Sequence, residues 1–425
     1  MRFSLSLAAV LIAAWTSPTS AQDQNPNQSQ LQTYLPPLAD AKLGSKTFRD
    51  WLREISANDP AVKESAMQAM VMYASEPRYL KEIRKEAGPL LIGVLNDTYT
   101  TDVSIKVNAA LAVGTIGLDE KDMDRGVSSL IRQLSDNESI VRMYATSALA
   151  NIGSDARAAI PSMARMVRDK ASWEIRRAAV LGLTRMAWDK NVKEGGPDPR
   201  AFKALTEAVS DRCLQVRQEA LKGFIFIGPP LISTDPKKPG STKADHTRAV
   251  EALEGLTLSQ RDKSSAILAR MAILSIDPIR LNNAQTVDKY VQEISRLTRP
   301  PGENQVRIDA SQALTMIWQL ANSKRVANPP DPKSFTPKAG WGEAIHTAIL
   351  NLADTDETMI CWGCTVLGTM GPAAEKAIKD LEKTKTRLAS RKDISDTTKK
   401  MVQMALTRCH GKEANQVGAA AGSGP

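Results

Sequence analysis

One hydrophobic pattern returns along the whole chain, in the form Val-Arg-x-x-Ala-x-x-Ala-Leu-x-x-Ile-Gly with conservative changes. Its clearest copy begins at Val141 and ends at Gly153. Successive copies begin 34 to 53 residues apart. A period in this range is typical of a solenoid, in which each unit buries its apolar side against its neighbours. The nine copies begin at Val62, Ile105, Val141, Ile175, Val216, Ser265, Val306, Met359 and Thr398.

The spacing within a copy predicts a helix. We count positions from the first residue of each copy, which is position 0. At 3.6 residues per turn, positions 0, 4, 7, 8 and 11 fall within about 100° of arc and form one buried stripe. Position 4 is small in eight copies, which allows a neighbouring helix to approach closely: Ala66, Ala109, Ala145, Ala179, Ala220, Ala269, Ala310 and Gly363.

A second, less regular helix is predicted before each copy. The best example runs from Ala156 to Asp169, with Pro161 near its start, where proline is tolerated. Each unit is therefore predicted to consist of a helix, a short turn that contains Asp, and a second helix whose second residue is basic. This arrangement resembles the HEAT-repeat family. The resemblance covers residues 46–410 and extends to the HEAT-like repeats of bilin-lyase-type proteins.

The resemblance implies an all-α fold, an α-solenoid of about nine HEAT-like helix pairs that form a right-handed superhelix. It also implies that the second helix of each pair lines the concave surface. Because each repeat buries its apolar side only against adjacent repeats, we expect one continuous domain over residues 46–410.

Both ends of the chain differ from the repeats. Residues 1–21 have a basic start, an apolar run from Leu5 to Trp15 and a small-residue cleavage site at Ala21, which predict a signal peptide. The alternative is an uncleaved anchor, but the run is shorter than the roughly 20 residues that a spanning helix needs. We expect a disordered Gln/Asn-rich leader over 22–45 and a flexible tail over 411–425. The mature chain is therefore expected to be extracytoplasmic, either periplasmic or secreted, without stable membrane insertion.

Charge is distributed with the repeat. The full chain carries a net charge of +9, of which Arg2 is the only basic residue in the predicted signal peptide. The resemblance implies that basic residues at position 1 and Asp residues before the copies form a structural ladder, and a dedicated anion-binding stripe is the alternative. With export expected, nucleic acid is a less favoured partner. The ladder candidates are Asp136, Arg142, Arg176, Asp211, Arg217 and Arg307, and the wider set adds Lys63, Lys106, Lys399, Asp354 and Asp393.

Two of the four cysteines have the spacing of a redox motif, but the sequence around them lacks the secondary structure that such a motif needs. Cys361 and Cys364 have the spacing of a redox motif, but no strand precedes their helix, as a thioredoxin-like site requires. They occupy positions 2 and 5, expected on the exposed side, where they could form a local disulfide in an oxidising compartment. Cys409 is expected in the core and Cys213 in a turn. We find no nucleophile elbow, phosphate-binding glycine loop or zinc-binding helix motif, and so predict no catalytic residues, metal or cofactor.

The face opposite the buried stripe is unusually apolar. An exposed helix face is normally polar, so either neighbouring helices bury part of it or it forms a concave groove for a peptide or protein segment. The candidate concave-face residues are Val107, Leu111, Met143, Val180, Leu181, Leu221, Ile225, Ile267, Met271 and Ile308, together with Leu274.

Three long insertions rich in Pro and Lys follow second helices, over 189–199, 229–245 and 323–339, and should emerge on one edge of the solenoid. The favoured interpretation is a secreted, non-enzymatic scaffold that binds another protein or peptide. One alternative is a structural or regulatory subunit of an envelope complex without a groove ligand. Another is a lyase or thiol-redox enzyme that uses Cys361 and Cys364.

Overall fold

A computed structural model describes residues 36–97, 102–189, 196–232, 240–259, 261–299, 302–322 and 339–411. The predicted signal peptide and flexible tail, apart from Gly411, lie outside these residues. Contacts divide the chain into two compact units, and we describe each by itself: unit 1 extends to Ala249 and unit 2 begins at Val250. One continuous domain over 46–410, and the handedness of its superhelix, stay predictions.

Helix pairs account for almost all of the described residues, which confirms the all-α solenoid. We call the first helix of each pair the A helix and the second, which carries the repeated pattern, the B helix. Nine pairs occur among the described residues, as the sequence predicted. In unit 1 the helices are α1 (Phe48–Glu54), α2 (Pro60–Tyr73), α3 (Leu80–Asn96), α4 (Val103–Ile116), α5 (Glu120–Gln133), α6 (Ser139–Ile152), α7 (Ile160–Met166), α8 (Trp173–Met186), α9 (Pro199–Ala208) and α10 (Leu214–Ile227).

The sixth pair begins with α11 (Lys243–Thr257), which crosses the boundary between the units. The remaining helices of unit 2 are α12 (Lys263–Ile276), α13 (Pro278–Asn282), α14 (Ala284–Leu297), α15 (Asn304–Asn322), α16 (Ala339–Leu352), α17 (Glu357–Met370), α18 (Ile378–Ala389) and α19 (Asp396–Cys409). Short 3₁₀ segments at Gly153–Ala159 and Gly371–Ala377 lead into α7 and α18.

Local sequence sets both ends of the B helices. The side chains of Asp102 and Asp356 accept hydrogen bonds from backbone amides in the first turns of α4 and α17, which satisfies donors that the helix itself leaves open. Gly117 and Gly371 follow the last turns with φ of 77° and 56°. This left-handed conformation is easily reached by glycine, so each residue ends its helix at the predicted place.

The B helices stack on one another, and this stack is the core of each unit. In unit 1 the order of contact is α2, α4, α6, α8 and α10, and in unit 2 it is α12, α15, α17 and α19. The small residues at position 4, such as Ala109, Ala145 and Ala179, are fully buried in the stack.

The leader is partly ordered, which corrects the expectation of disorder over 22–45. Residues 36–45 include a 3₁₀ turn at Leu38–Asp40 and the strand β1 (Lys42–Leu43), which pairs with β2 (Lys46–Thr47). Leu38 is buried, and the Tyr79 hydroxyl donates to the carbonyl oxygen of Pro36 at 2.7 Å. This segment packs on the first helix pair of the described residues, where Leu38 and Ala41 add to the buried core.

Candidate functional site

Ion pairs join successive repeats of unit 1 at the turns between A and B helices. In each, the basic residue at position 1 of one B helix reaches an Asp in the turn before the next B helix. The nitrogen–oxygen distances are 2.8 Å for Lys106–Asp136, 2.9 Å for Arg142–Asp169 and 2.6 Å for Arg176–Asp211. These charges are therefore used inside the fold, between neighbouring repeats.

The arginines of the ladder also hold their own turns. Arg142 donates to the carbonyl oxygen of Asp136 at 2.8 Å, and Arg217 donates to that of Asp211 at 2.9 Å. Arg176 makes the same contact with the Asp169 carbonyl at 3.1 Å. One guanidinium thus fixes the turn before its own helix and, in the cases of Arg142 and Arg176, the turn of the next repeat.

In unit 2, Arg307 makes the corresponding ion pair of the ladder, and its side chain is buried. It pairs with Asp354 at 2.5 Å and donates to the side-chain oxygen of Asn351 at 3.0 Å. Asp393 makes no such link, because position 1 of the preceding copy is Ile360 rather than a basic residue. It pairs instead with Arg391 in its own turn.

Two opposing effects act on the carboxyls of the ladder. Burial by itself would raise the pKa of Asp136, Asp169 and Asp211. Hydrogen bonds from the paired basic side chains and from backbone amides outweigh burial and hold each pKa below its usual value. All three are therefore ionised at neutral pH and fully paired, which does not favour an anion-binding stripe.

The structure buries half of the residues expected on the concave face. Val180, Leu221, Ile225, Ile267 and Met271 are buried, as is Leu274, so their placement on an exposed groove was wrong. For Val180 the reason is that α8 packs against the B helices on both sides, α6 and α10, which widens its buried arc. Position 5 is buried in the consecutive copies at Ala110, Thr146, Val180 and Leu221, but exposed at Gln403, in the last B helix of the described residues.

Four of the candidate residues in unit 1 stay accessible, and we call them the open B-helix face: Val107, Leu111, Met143 and Leu181. Leu111 is 37% exposed and the other three are half-buried. They occupy positions 2 and 6 of three successive B helices, so they lie side by side across the stack. Ile308, in unit 2, is also half-buried.

Polar side chains border this face on both sides. Toward the N-terminus, the Asn108 amide donates to Glu64 at 3.2 Å and the Gln68 amide donates to Asn108 at 3.4 Å, which links α2 with α4. Toward the C-terminus, Arg177 pairs with Glu219 at 3.1 Å. An apolar centre with a polar border is the usual composition of a protein-binding surface.

The two cysteines of the redox-like motif are free thiols, so the structure has no disulfide between them. Cys364 is buried rather than exposed, because position 5 packs against the next B helix. Burial raises the pKa of the Cys364 thiol to about 12 and also raises the pKa of Cys361. The Cys361 sulfur lies 3.1 Å from the Thr398 hydroxyl. Both thiols are protonated at neutral pH, whereas nucleophilic and redox cysteines act as thiolates.

A second row of arginines, which the sequence pattern did not reveal, lies at the C-terminal ends of the B helices. Arg84 donates to the carbonyl oxygen of Ile116 at 2.6 Å, and Arg157 donates to that of Met186 at 2.6 Å. Cations at this end donate hydrogen bonds to carbonyl groups that the helix leaves unpaired, and they are attracted to the negative end of the helix dipole. Arg84 lies five residues before Pro89, whereas Arg157 lies four residues before Pro161. Because this spacing varies between repeats, a search for a fixed spacing could not have identified these arginines.

Two of the three insertions leave unit 1 side by side. The Trp188 indole nitrogen donates to the carbonyl oxygen of Ile227 at 3.1 Å, so the start of one insertion contacts the start of the next. A Cβ atom on Gly196 would lie 2.4 Å from the backbone nitrogen of Leu231, which shows how closely the two segments run. The central residues of these insertions, 190–195 and 233–239, and most of the third lie outside the described residues.

Within the described ranges, no three His, Cys, Asp or Glu side chains come together in a way that could hold a metal ion. None of the helices in the same ranges has both the length and the apolar character needed to cross a bilayer.

Comparison with known proteins identifies the repeat. The family described as HEAT repeats matches residues 99–184, which confirms the HEAT-repeat resemblance for this part of unit 1. No curated protein matches the chain.

Several solved structures are similar in their arrangement. An engineered protein from a structural genomics consortium is 18% identical, with 88% of this chain and 92% of that chain covered and a TM-score of 0.46. A designed armadillo repeat protein in complex with the peptide (KR)4 is 18% identical, with 55% and 100% covered and a TM-score of 0.43.

Proposed function

We propose that this protein is a non-enzymatic scaffold that binds a segment of another protein through the open B-helix face of unit 1. The observation that carries the proposal is the accessible apolar row formed by Val107, Leu111, Met143 and Leu181 in three stacked helices. Stacked helices present such side chains on a rigid support, so a bound segment would not have to order the surface that receives it.

The chemistry of the face fits a largely uncharged segment. Arg177 is paired with Glu219, and Glu64 accepts from Asn108, so the charged groups at its borders already have partners. An apolar anchor from the partner would be desolvated between Leu111 and Leu181, where hot-spot residues typically contribute about 2 kcal/mol or more.

The test replaces accessible and buried leucines in parallel. The double variant Leu111→Asp and Leu181→Asp should keep its helical circular dichroism, since Leu111 is exposed and Leu181 is only half-buried, and substitutions at exposed positions usually change stability by under about 0.5 kcal/mol each. It should lose the stoichiometric partner that the unaltered protein retains from an envelope extract. The matched control Leu221→Asp places a charge at a fully buried position and should unfold the repeat.

A folded double variant that still retains the partner would reject this face and favour a structural or regulatory subunit without a groove ligand. The third candidate, an enzyme that uses Cys361 and Cys364, is not supported by the raised pKa values of these thiols. Turnover of a thiol substrate that is abolished by Cys364→Ser would favour it.

We also propose that the scaffold acts outside the cytoplasm, because residues 1–21 have the composition of a signal peptide. The mature chain should then begin at Gln22. N-terminal sequencing of the exported protein tests this, and a chain that begins at Met1 or remains in the cytosol would contradict it.

A further inference from the structure

Three large apolar side chains are exposed where the two insertions of unit 1 meet, and we call them the edge patch: Trp188, Leu231 and Ile232. They are 38%, 51% and 42% exposed. Single exposed apolar residues are common on soluble proteins, but several at one place usually mark a binding surface.

The edge patch is held in place by its own backbone contacts. The Ser241 amide donates to the Leu231 carbonyl oxygen at 2.9 Å, and Ile232 forms a β-bridge with Ser241, so the insertion is closed at its base. The indole of Trp188 is fixed by its hydrogen bond to Ile227. A partner would therefore meet side chains that are already positioned, which lowers the entropy cost of binding.

Basic side chains lie on α9 and α11, the helices that follow the two insertions. Lys203, Lys243 and Arg248 are exposed. The pKa of the Asp245 carboxyl, four residues after Ser241, is lowered first by hydrogen bonds with Thr242 and then by the charges of Lys203 and Arg248, so both cations lie within electrostatic range of this carboxylate.

The buried carboxylate near the end of the first insertion, that of Asp198, already has partners. Asp198 is buried and is shared by Arg200 at 2.8 Å and Arg157 at 3.6 Å. Its negative charge is therefore neutralised within the fold, and Asp245 offsets only one of the three cations, so the border of the edge patch is positive on balance.

We propose that the edge patch docks an acidic segment of a partner protein that carries an aliphatic or aromatic side chain. The apolar side chain packs on Trp188, Leu231 and Ile232, and the acidic residues lie against Lys203, Lys243 and Arg248. Two of the three apolar residues are aliphatic, which favours a protein side chain over a stacked nucleic-acid base. This surface is separate from the open B-helix face.

The test uses peptides as probes. A phage-displayed library of random 12-residue peptides is selected against the full chain, and an enriched peptide is synthesised for fluorescence anisotropy. We expect enriched sequences with two or more acidic residues around an apolar one. Leu231→Ser and Lys203→Glu should each weaken binding at least about fivefold, a loss of about 1 kcal/mol. Leu111→Asp, on the open B-helix face, should leave binding unchanged.

Circular dichroism of each variant establishes that it is folded. The proposal is overturned if no peptide is enriched, if the enriched peptides are not acidic, or if they bind the Leu231→Ser and Lys203→Glu variants equally well. A 12-nucleotide single-stranded DNA that binds more tightly and displaces the peptide would also overturn it, in favour of a nucleic-acid surface.

Discussion

Arg176 and Arg177 are adjacent in sequence but have different roles. The Arg176 side chain is 7% exposed and holds both carboxylate oxygens of Asp211, at 2.6 and 2.9 Å. The Arg177 side chain is 51% exposed and pairs with Glu219 at 3.1 Å. Both are ion pairs between neighbouring repeats, so burial is the main difference between them.

The first prediction compares these two arginines. Arg176→Ala leaves the buried Asp211 carboxylate without its partner and should lower the free energy of unfolding by about 3 kcal/mol or more. Arg177→Ala removes an exposed pair and should lower it by less than about 1 kcal/mol. Urea denaturation followed by circular dichroism measures both, and equal losses would show that burial does not govern the ladder.

At the scale of the helix, periodicity predicted the elements well because the buried stripe repeats with the helical period. The nine B helices and the glycines that end four of them follow directly from the pattern. The same arithmetic placed Val180 on the outside, because it considers a single helix and not the next helix in the stack. Only the observed packing shows that position 5 contacts the following repeat.

The ladder shows a similar limit. Asp136 and Asp211 precede their copies by five residues, whereas Asp169 precedes Ile175 by six, so a fixed spacing missed it. Its turn is one residue longer, yet its carboxylate still reaches Arg142 at 2.9 Å. A change of turn length alters the spacing along the chain without altering the contact in space.

The second prediction concerns two helical glycines in unit 1. A Cβ atom on Gly114 would lie 2.7 Å from Cα of Ala148, so Gly114→Ala should force α4 and α6 apart. The cost of overpacking, about 1–3 kcal/mol, exceeds the gain in helix propensity of about 1 kcal/mol. A Cβ atom on Gly93, inside α3, would have no other atom within 4 Å, so Gly93→Ala should stabilise the protein by about 0.5–1 kcal/mol. Thermal melts of both variants that shift in the same direction would contradict this.

For the whole molecule, the contacts of each repeat are mostly with adjacent repeats. In unit 1 the B helix α8 lies between α6 and α10, and in unit 2 α17 lies between α15 and α19. Stability in such a stack is approximately a sum of the repeats and of their nearest-neighbour interfaces. A substitution in one repeat should therefore destabilise that repeat and its direct neighbours more than distant repeats.

The third prediction follows from this. In Arg176→Ala, hydrogen exchange measured by mass spectrometry should accelerate most in α8 and α10, which the Arg176–Asp211 pair joins. Exchange in α17 and α19 of unit 2 should change little. The matched variant Arg177→Ala should show a smaller change in the same helices. Uniform acceleration over both units would indicate a single cooperative body and would contradict the nearest-neighbour description.

The last helix pair has an outer side unlike that of the repeats before it. Gln403 takes the place that Val180 and Leu221 hold in earlier repeats, and Glu382, Lys385 and Thr407 lie around it. A stack of similar units can in principle keep growing, because an apolar last unit is a template for the first unit of another chain. These polar side chains are solvated by water. Packing another unit against them would remove that water and would cost free energy. The polar outer side of this pair therefore disfavours end-to-end association with another chain.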